Sequence, residues 1–165
     1  MSKQNQINYL NDVSEKLNGL LSTYAIHYQN LRSMHWNVTG PEFFLLHEKF
    51  EEEYLDAQTS VDEIAERILS LGSKPIGNFS VYLDKSVIAE FEVYESAEQS
   101  IGFLIESFDI LLQSEKEILD MASGAGDEGT VALMSDLIAK QEKTRWMFAA
   151  TINKSYTSQK VITNN

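Results

Sequence analysis

The side chains best suited to bind a metal ion are two histidines and three carboxylates in the first half of the chain. His35 and His47 are followed by Glu51, Asp62 and Glu66. The chain has no cysteine, so His, Asp and Glu are its only strong metal ligands. Their types indicate a metal site, and their spacing has to show whether they can meet.

Four of these residues fall on one side of a single predicted helix. At about 100° per residue, His47, Glu51, Asp62 and Glu66 share a strip roughly 100° wide. The neighbouring strip is apolar and predicts the core face: Leu46, Phe50, Ala57, Val61, Ile64 and Ile68. We therefore expect the four ligand candidates at the edge of the core, partly buried.

The two ends of this strip lie too far apart to share a metal within one helix. His47 and Asp62 are separated by about 22 Å along the helix axis. Two copies of the helix crossing antiparallel near Asp56 would bring the His47/Glu51 end of one copy to the Asp62/Glu66 end of the other. Spacing therefore predicts a two-fold dimer with two equivalent sites, and a monomer in solution would contradict it.

His35 is predicted to lie on the first helix and to face the second, because it follows Leu31 by four residues. It would add a nitrogen ligand to the His47 end, with Trp36 shielding the site. His27 has no such partner spacing and is interpreted as structural. An isolated histidine on an apolar face is more often a core residue, and most acids on a polar helix are solvated. Spacing alone leaves the metal and the structural interpretations open.

Apolar residues recur at three- and four-residue steps in four long segments, which predicts an all-α fold. The helices are expected over about 7–37, 42–71, 95–122 and 130–153. Gly40-Pro41, Gly72 and the segment 123–126 separate them. The connection between the second and third helices is too long for a turn, and its part 80–91 predicts a short extra helix.

A four-helix bundle with one long crossover is typical of the ferritin-like architecture. We expect one domain over residues 1–165, with a helical core over about 7–153 and a loose polar tail over 155–165. No signal pattern or membrane-spanning run is present in the sequence, which predicts a cytoplasmic protein and no membrane partner. The sequence contains no Glu-x-x-His, so the conventional di-iron site within one bundle is a poor match.

The motif residues resemble the signature of the Dps proteins, which are small ferritins. The resemblance rests on His35-Trp36-Asn37-Val38, Gly40-Pro41, Phe43-Phe44, His47 and the run from Asp62 to Arg67. It covers roughly 7–153 and implies a hollow dodecamer whose ferroxidase centres lie at two-fold interfaces.

The resemblance implies that His35, His47 and Glu51 of one subunit face Asp62 and Glu66 of its partner. Iron would be the bound metal, with Fe(II) and hydrogen peroxide as reactants and a ferric mineral stored inside. Trp36 matches an aromatic residue beside that centre that protects against radicals. The outer flank of the stripe would face the cavity and nucleate mineral: Glu48, Glu52 and Glu63.

The chain departs from the family pattern at several positions. Position 51 has glutamate where aspartate is usual, which puts that ligand in doubt. Asp127 and Glu128 lie where the family's acidic three-fold pore begins, but Val131 and Ala132 replace its further acids.

DNA binding is not expected, because it depends in the family on a basic tail. This chain has a net charge of −12 and no concentrated basic patch. The alternative functions are a non-enzymatic shell that compacts DNA or binds a surface partner, and a structural metal-binding dimer without turnover.

Overall fold

Four long helices and one short helix form the part of the chain that the structure describes. This structure is a computed structural model, and it describes residues 2–93 and 96–152. The helices are α1 (Lys3–Asn37), α2 (Phe43–Ser70), α3 (Phe79–Lys85), α4 (Ala97–Ala125) and α5 (Glu128–Thr151). α1 packs against α2 and α4, α4 packs against α5, and α3 lies on α1. The predicted all-α four-helix bundle with a short helix in the crossover is confirmed.

The predicted apolar stripes form most of the core. Every predicted stripe residue of α4 is buried: Ile101, Leu104, Ile105, Phe108, Leu111, Leu112 and Ile118. On α1 the stripe is buried except at Leu10 and Tyr28, which are half-buried. On α2 the stripe is buried except at Val61, which is half-buried and packs against the core, whereas its neighbour Ser60 is fully buried. Ser60 tolerates burial because its hydroxyl donates to the Asp56 carbonyl oxygen at 3.1 Å.

Two helices begin earlier in the chain than predicted, because polar residues cap their N-termini. α1 begins at Lys3 instead of Ile7, because the Ser2 hydroxyl accepts a hydrogen bond from the Asn5 backbone N–H at 3.2 Å. α5 begins at Glu128 instead of Thr130, because the Asp127 side chain caps it in the same way. Apolar periodicity does not detect these first turns, since their residues are polar.

The ends of α3 and α4 also differ from the predicted ones. α4 continues past Ala122 to Ala125 and ends at Gly126, whose φ of 74° is the left-handed conformation that glycine favours. Its predicted start at Glu95 lies outside the described residues, and the observed helix begins at Ala97, directly after Ser96, which caps it in a capping box with Gln99. The crossover helix is shorter than predicted. The predicted helix end at Asn153 and the polar tail 155–165 also lie outside the described residues.

Polar residues of α1 hold the crossover against the bundle. The Asn18 side chain accepts from the Ile76 backbone N–H at 2.8 Å. The Asn30 side chain accepts from the Phe91 backbone N–H and donates to the Ala89 carbonyl oxygen, both at 2.8 Å. These contacts satisfy the crossover backbone where it covers the core, and so fix a loop that has little regular structure.

One end of the bundle is held by the Asp127 carboxylate. It accepts hydrogen bonds from Tyr9 of α1 at 2.6 Å, from Arg67 of α2 at 2.5 Å and from Thr130 of α5 at 2.7 Å. Burial alone would raise the pKa of Asp127, but these hydrogen bonds and the Arg67 charge together lower it. The carboxylate at the predicted start of the pore is therefore fully engaged within its own subunit, whereas Glu128 is exposed.

No helix in residues 2–93 and 96–152 is long and apolar enough to cross a membrane.

Candidate metal centre

The tight connection between α1 and α2 places the two predicted histidine ligands side by side. α1 ends at Asn37, Gly40 turns the chain with a φ of 104°, and α2 begins at Phe43. The two helices run back along each other, so the last turn of α1 meets the first turns of α2. The His35 and His47 rings stack with 3.8 Å between their centroids and an interplanar angle of 22°.

Each histidine ring is oriented by the backbone of the other. His35 Nδ1 lies 2.8 Å from the His47 carbonyl oxygen, and His47 Nδ1 lies 2.9 Å from the His35 carbonyl oxygen. A carbonyl oxygen only accepts, so each Nδ1 carries the hydrogen and donates it. In the neutral imidazole this leaves the lone pair on Nε2, which is the arrangement of a metal-ligating histidine with a fixed outer partner. The same helix ends thus orient two candidate nitrogen ligands together.

The carboxylate of Glu51 lies one turn after His47 on the same side of α2. Glu51 Oε1 accepts a hydrogen bond from the Tyr54 hydroxyl at 3.1 Å. The Tyr54 ring contacts the edge of His35 with 5.4 Å between centroids, and the Phe43 ring stacks on His47 at 5.0 Å. His35, His47 and Glu51 therefore lie toward the same end of the bundle, with the rings of Phe43 and Tyr54 beside the histidines.

The remaining two predicted ligands, Asp62 and Glu66, lie on adjacent turns near the other end of α2. Helix geometry places Asp62 about 22 Å and Glu66 about 28 Å from His47 along the axis of α2. Asp62 borders a groove between α1, α2 and α3, whose apolar walls include Leu21, Leu55, Val61, Ala65 and Tyr82. The structure does not bring these carboxylates to the histidines within one chain.

The expectation of partial burial was correct for one of the four stripe residues. His47 is half-buried, but Glu51, Asp62 and Glu66 are exposed in the single chain. Val61, on the apolar side of the stripe, is half-buried and also lines the groove beside Asp62. In residues 2–93 and 96–152, no three His, Asp or Glu side chains come close enough to hold one metal ion.

Trp36 lies beside the histidines and remains largely uncovered in the single chain. Its side chain is 57% exposed. The guanidinium carbon of Arg32 lies 4.8 Å from the Trp36 ring centroid and 5.3 Å from that of Tyr28. Because Trp36 is largely exposed in the single chain, it could shield the site from water only if a neighbouring subunit covered it.

His27 is a core residue, as predicted. It is 2% exposed and packs against the edges of Tyr24 and Phe108. Burial lowers its pKa to about 3, so it stays neutral at any ordinary pH.

Tyr54 is the residue at this site that the sequence analysis missed. It follows His47 by seven residues, which is two helical turns, so the helical period places it near the same side of α2. That period is the available signal. It does not by itself mark Tyr54 as part of the site, because tyrosine is a weak metal ligand and commonly serves as a core or interface residue.

The fold agrees with comparisons to known proteins. The Ferritin-like domain family matches residues 14–156. A DNA protection during starvation protein from Porphyromonas gingivalis is 41% identical over 142 residues, which is 86% of this chain and 89% of the relative. A second one, from Bacillus anthracis, is 37% identical and covers 86% of this chain and 97% of the relative.

Among solved structures, a Dps protein from Vibrio cholerae O1 superposes with a TM-score of 0.86. It is 45% identical, covers 88% of this chain and 91% of its own, and is described as a member of the ferritin-like diiron-carboxylate superfamily. The chain belongs to the ferritin-like family, and within it to the Dps proteins. Iron storage and protection against oxidative damage, with activity of the ferroxidase type, are the broad functions that this membership supports.

Proposed function

We propose that this protein oxidises Fe(II) with hydrogen peroxide at centres shared between two subunits, and stores the ferric product inside a hollow shell of twelve copies. His35, His47 and Glu51 of one subunit would bind iron together with Asp62 and Glu66 of the partner subunit. The observation that carries the proposal is the reciprocal hydrogen bonding of the two histidines, which leaves the lone pair of each neutral ring on Nε2.

The surface around Asp62 supports a shared site. Leu55 is 52% exposed and lies next to Asp56, where the two copies of α2 are expected to cross. The apolar groove that Asp62 borders continues this surface toward α3. A second α2 crossing here would cover exposed apolar area and bring the isolated carboxylates to the histidine pair.

The ligand set suits iron in both oxidation states. Imidazole nitrogens bind Fe(II) well, and carboxylates stabilise the more highly charged Fe(III). Two Fe(II), one hydrogen peroxide and two protons give two Fe(III) and two waters. Because both electrons of the peroxide reduction come from iron, no hydroxyl radical is released.

The ferric product would pass to the exposed acids on the outer flank of α2. Glu48, Glu52 and Glu63 are exposed. The Glu52 carboxylate already accepts a hydrogen bond from Lys49 at 2.5 Å, so Glu48 and Glu63 are the better candidates for contact with mineral. DNA is left out of the proposal because the net charge of −12 opposes it.

A peroxide pulse after anaerobic Fe(II) loading tests this function. With two Fe(II) per subunit and one equivalent of peroxide, we expect fast ferric absorbance and little trapped hydroxyl radical. Asp62→Asn removes a negative ligand and keeps the side-chain shape, and should slow the oxidation by roughly 100-fold, because even outer partners of metal ligands contribute 10- to 100-fold.

Glu106→Gln is the matched control, since Glu106 is an exposed carboxylate on α4 away from the stripe. Oxidation no faster than in buffer, or equal rates in wild type and Asp62→Asn, would mean that the stripe is structural. The non-enzymatic shell would then be the better explanation. Size-exclusion chromatography of every variant shows whether the assembly is intact.

A further inference from the structure

Three polar side chains from three different helices meet at one hydroxyl oxygen in the bundle centre. The Tyr24 hydroxyl of α1 donates to Glu115 Oε1 of α4 at 2.6 Å, and the Gln141 amide of α5 donates to the same hydroxyl oxygen at 2.8 Å. Tyr24 and Glu115 are fully buried, and Gln141 is 4% exposed. Because α5 packs mainly against α4, the bond from Gln141 also ties it across the bundle to α1.

The second oxygen of the Glu115 carboxyl and the side-chain oxygen of Gln141 are left over from this network. Among the described residues, both atoms are buried without a hydrogen-bond partner. Both only accept when Glu115 is ionised, so neither can satisfy the other. A proton on Glu115 Oε2 makes that atom a donor, and Gln141 Oε1 can accept from it, since both groups already contact the Tyr24 hydroxyl. One proton would therefore satisfy two buried acceptors at once.

Glu115 is the member of this cluster that can gain or lose a proton near neutral pH. Burial raises its pKa from 4.5 to about 7, although the Tyr24 hydrogen bond and the Lys116 charge act to lower it. Burial and the Glu115 charge raise the pKa of Tyr24 well above its usual range, so the phenol keeps its proton. His27 packs against the edge of Tyr24 and stays neutral, because burial lowers its pKa to about 3.

The charged side chains around the cluster are paired with one another. Lys116 of α4 pairs with Glu142 of α5 at 2.8 Å, so the effects of these two charges on the pKa of Glu115 oppose each other. Lys140 of α5 pairs with Asp56 of α2, whose charge further raises the pKa of Tyr24. Both lysines are therefore engaged at the surface, and the buried carboxyl depends on its own proton for neutrality.

We propose that Glu115, Tyr24 and Gln141 form a proton-operated latch that ties α1, α4 and α5 together in the centre of the bundle. With the proton on Glu115 Oε2, the carboxyl donates to Gln141 Oε1 and the three side chains close a ring of hydrogen bonds. Without the proton the ring opens, and a charge lies in the core beside the Tyr24 donor. Water then has to reach the carboxylate, so the centres of α4 and α5 loosen above neutral pH. The latch contains none of the proposed iron ligands and does not depend on the proposed function.

Infrared difference spectroscopy of the assembled protein detects the proton on Glu115. A protonated carboxyl absorbs above the amide band, and subtracting the spectrum of Glu115→Gln isolates this one group. We expect an acid carbonyl band at pH 6 that disappears with a midpoint near pH 7. If the wild type shows no such band at pH 6, Glu115 is already ionised and the latch does not exist.

Two further variants should shift this midpoint in opposite directions, each measured against its own Glu115→Gln partner. Gln141→Met keeps a similar length and removes the acceptor of the acid proton, so the midpoint should fall by about one unit, the effect of one hydrogen bond. Tyr24→Phe removes the donor to the carboxylate, so the midpoint should rise. An unchanged or raised midpoint in Gln141→Met would show that the acid proton is not donated to Gln141, and would overturn the inference.

Hydrogen–deuterium exchange followed by mass spectrometry measures the opening itself. In peptides that span Glu115 and Gln141, protection corrected for the intrinsic exchange rate should fall on the order of 100-fold in the wild type between pH 5 and pH 8. Glu115→Gln has an amide donor in place of the acid proton and cannot ionise, so it should keep its protection. Glu106→Gln, the exposed control on α4, should follow the wild type. An equal fall in Glu115→Gln would mean that another group controls the opening, which also overturns the latch.

Discussion

Two variants that are each inactive should regain Fe(II) oxidation when they assemble into the same shell. His35→Ala damages the histidine half of the proposed centre, and Asp62→Ala damages the carboxylate half. Each variant alone carries a damaged half at every centre, so each should lose roughly 100-fold in rate. In a mixed two-fold dimer, one centre collects both damaged halves and the other collects both intact halves.

The size of the recovery follows from the symmetry of the dimer. Random assembly of equal amounts makes half of the dimers mixed, and each mixed dimer has one intact centre of two. The co-assembled shell should therefore show about one quarter of the wild-type rate. The two variants are co-expressed with different affinity tags, shells carrying both tags are purified, and the rate is measured per subunit after a peroxide pulse.

Two controls test whether the recovered rate comes from mixed dimers. Co-expressing His35→Ala with His47→Ala damages the same half in every chain and should give no recovery. Mixing the two purified homomeric shells without disassembly should also give none. Zero recovery in the doubly tagged His35→Ala and Asp62→Ala shells would mean that the two halves do not meet across a two-fold axis.

Periodicity predicted the long helices because their apolar residues recur over many turns. It failed at their ends, where single polar side chains determine the boundary. Ser2 and Asp127 each start a helix earlier than the apolar pattern does, and Gly126 ends α4 later than Ala122. Capping depends on one hydrogen bond, and a serine or an aspartate in sequence does not show whether its hydrogen bond forms.

The nearness of His35 and His47 could be predicted, but their orientation could not. Helix faces and a short Gly40 turn are sequence features, and they are enough to bring the two residues together. The paired hydrogen bonds to carbonyl oxygens depend on the position of α1 relative to α2 along their axes, and packing of the bundle sets that position. The exposure of Asp62 and Glu66 likewise depends on the orientation of α2 about its own axis, which packing also sets. The pairing of these two carboxylates with the histidines stays a prediction.

A buried acid in the bundle centre was not predicted at all. Glu115 is fully buried on α4, where its Oε1 accepts from the Tyr24 hydroxyl at 2.6 Å. The Gln141 amide donates to the same hydroxyl at 2.8 Å. Among the described residues, Glu115 Oε2 and Gln141 Oε1 have no hydrogen-bond partner. In sequence Glu115 is one of many acids on amphipathic helices, and nothing marks it as the one that faces inward.

Burial raises the pKa of Glu115 from 4.5 to about 7, against the opposing effects of the Tyr24 hydrogen bond and the Lys116 charge. The folded chain therefore holds a proton on Glu115 at pH values where the unfolded chain has released it. A raised folded pKa gives stability that is complete below about pH 4.5 and is lost as the pH rises to about 7. The loss amounts to about 3 kcal/mol over this window.

Glu115→Gln should remove this pH dependence, because glutamine has the same shape and no proton to lose. Between pH 5 and pH 8, we expect the wild type to lose about 3 kcal/mol more unfolding free energy than Glu115→Gln. Two other shifted groups are common to both proteins and cancel in the difference. Glu53, whose pKa burial and Asp56 raise to about 7, acts in the same direction, and His27 acts in the opposite direction below about pH 6.5.

Urea unfolding at equal protein concentration and at each pH measures the two free energies, since the assembly makes stability concentration-dependent. Glu106→Gln serves as the exposed counterpart and should follow the wild type. Parallel curves for wild type and Glu115→Gln would mean that Glu115 is ionised in the folded protein at neutral pH. A charge would then lie in the bundle centre on a carboxylate whose Oε2 has no hydrogen-bond partner among the described residues, and the core would have to supply it with a cation or water.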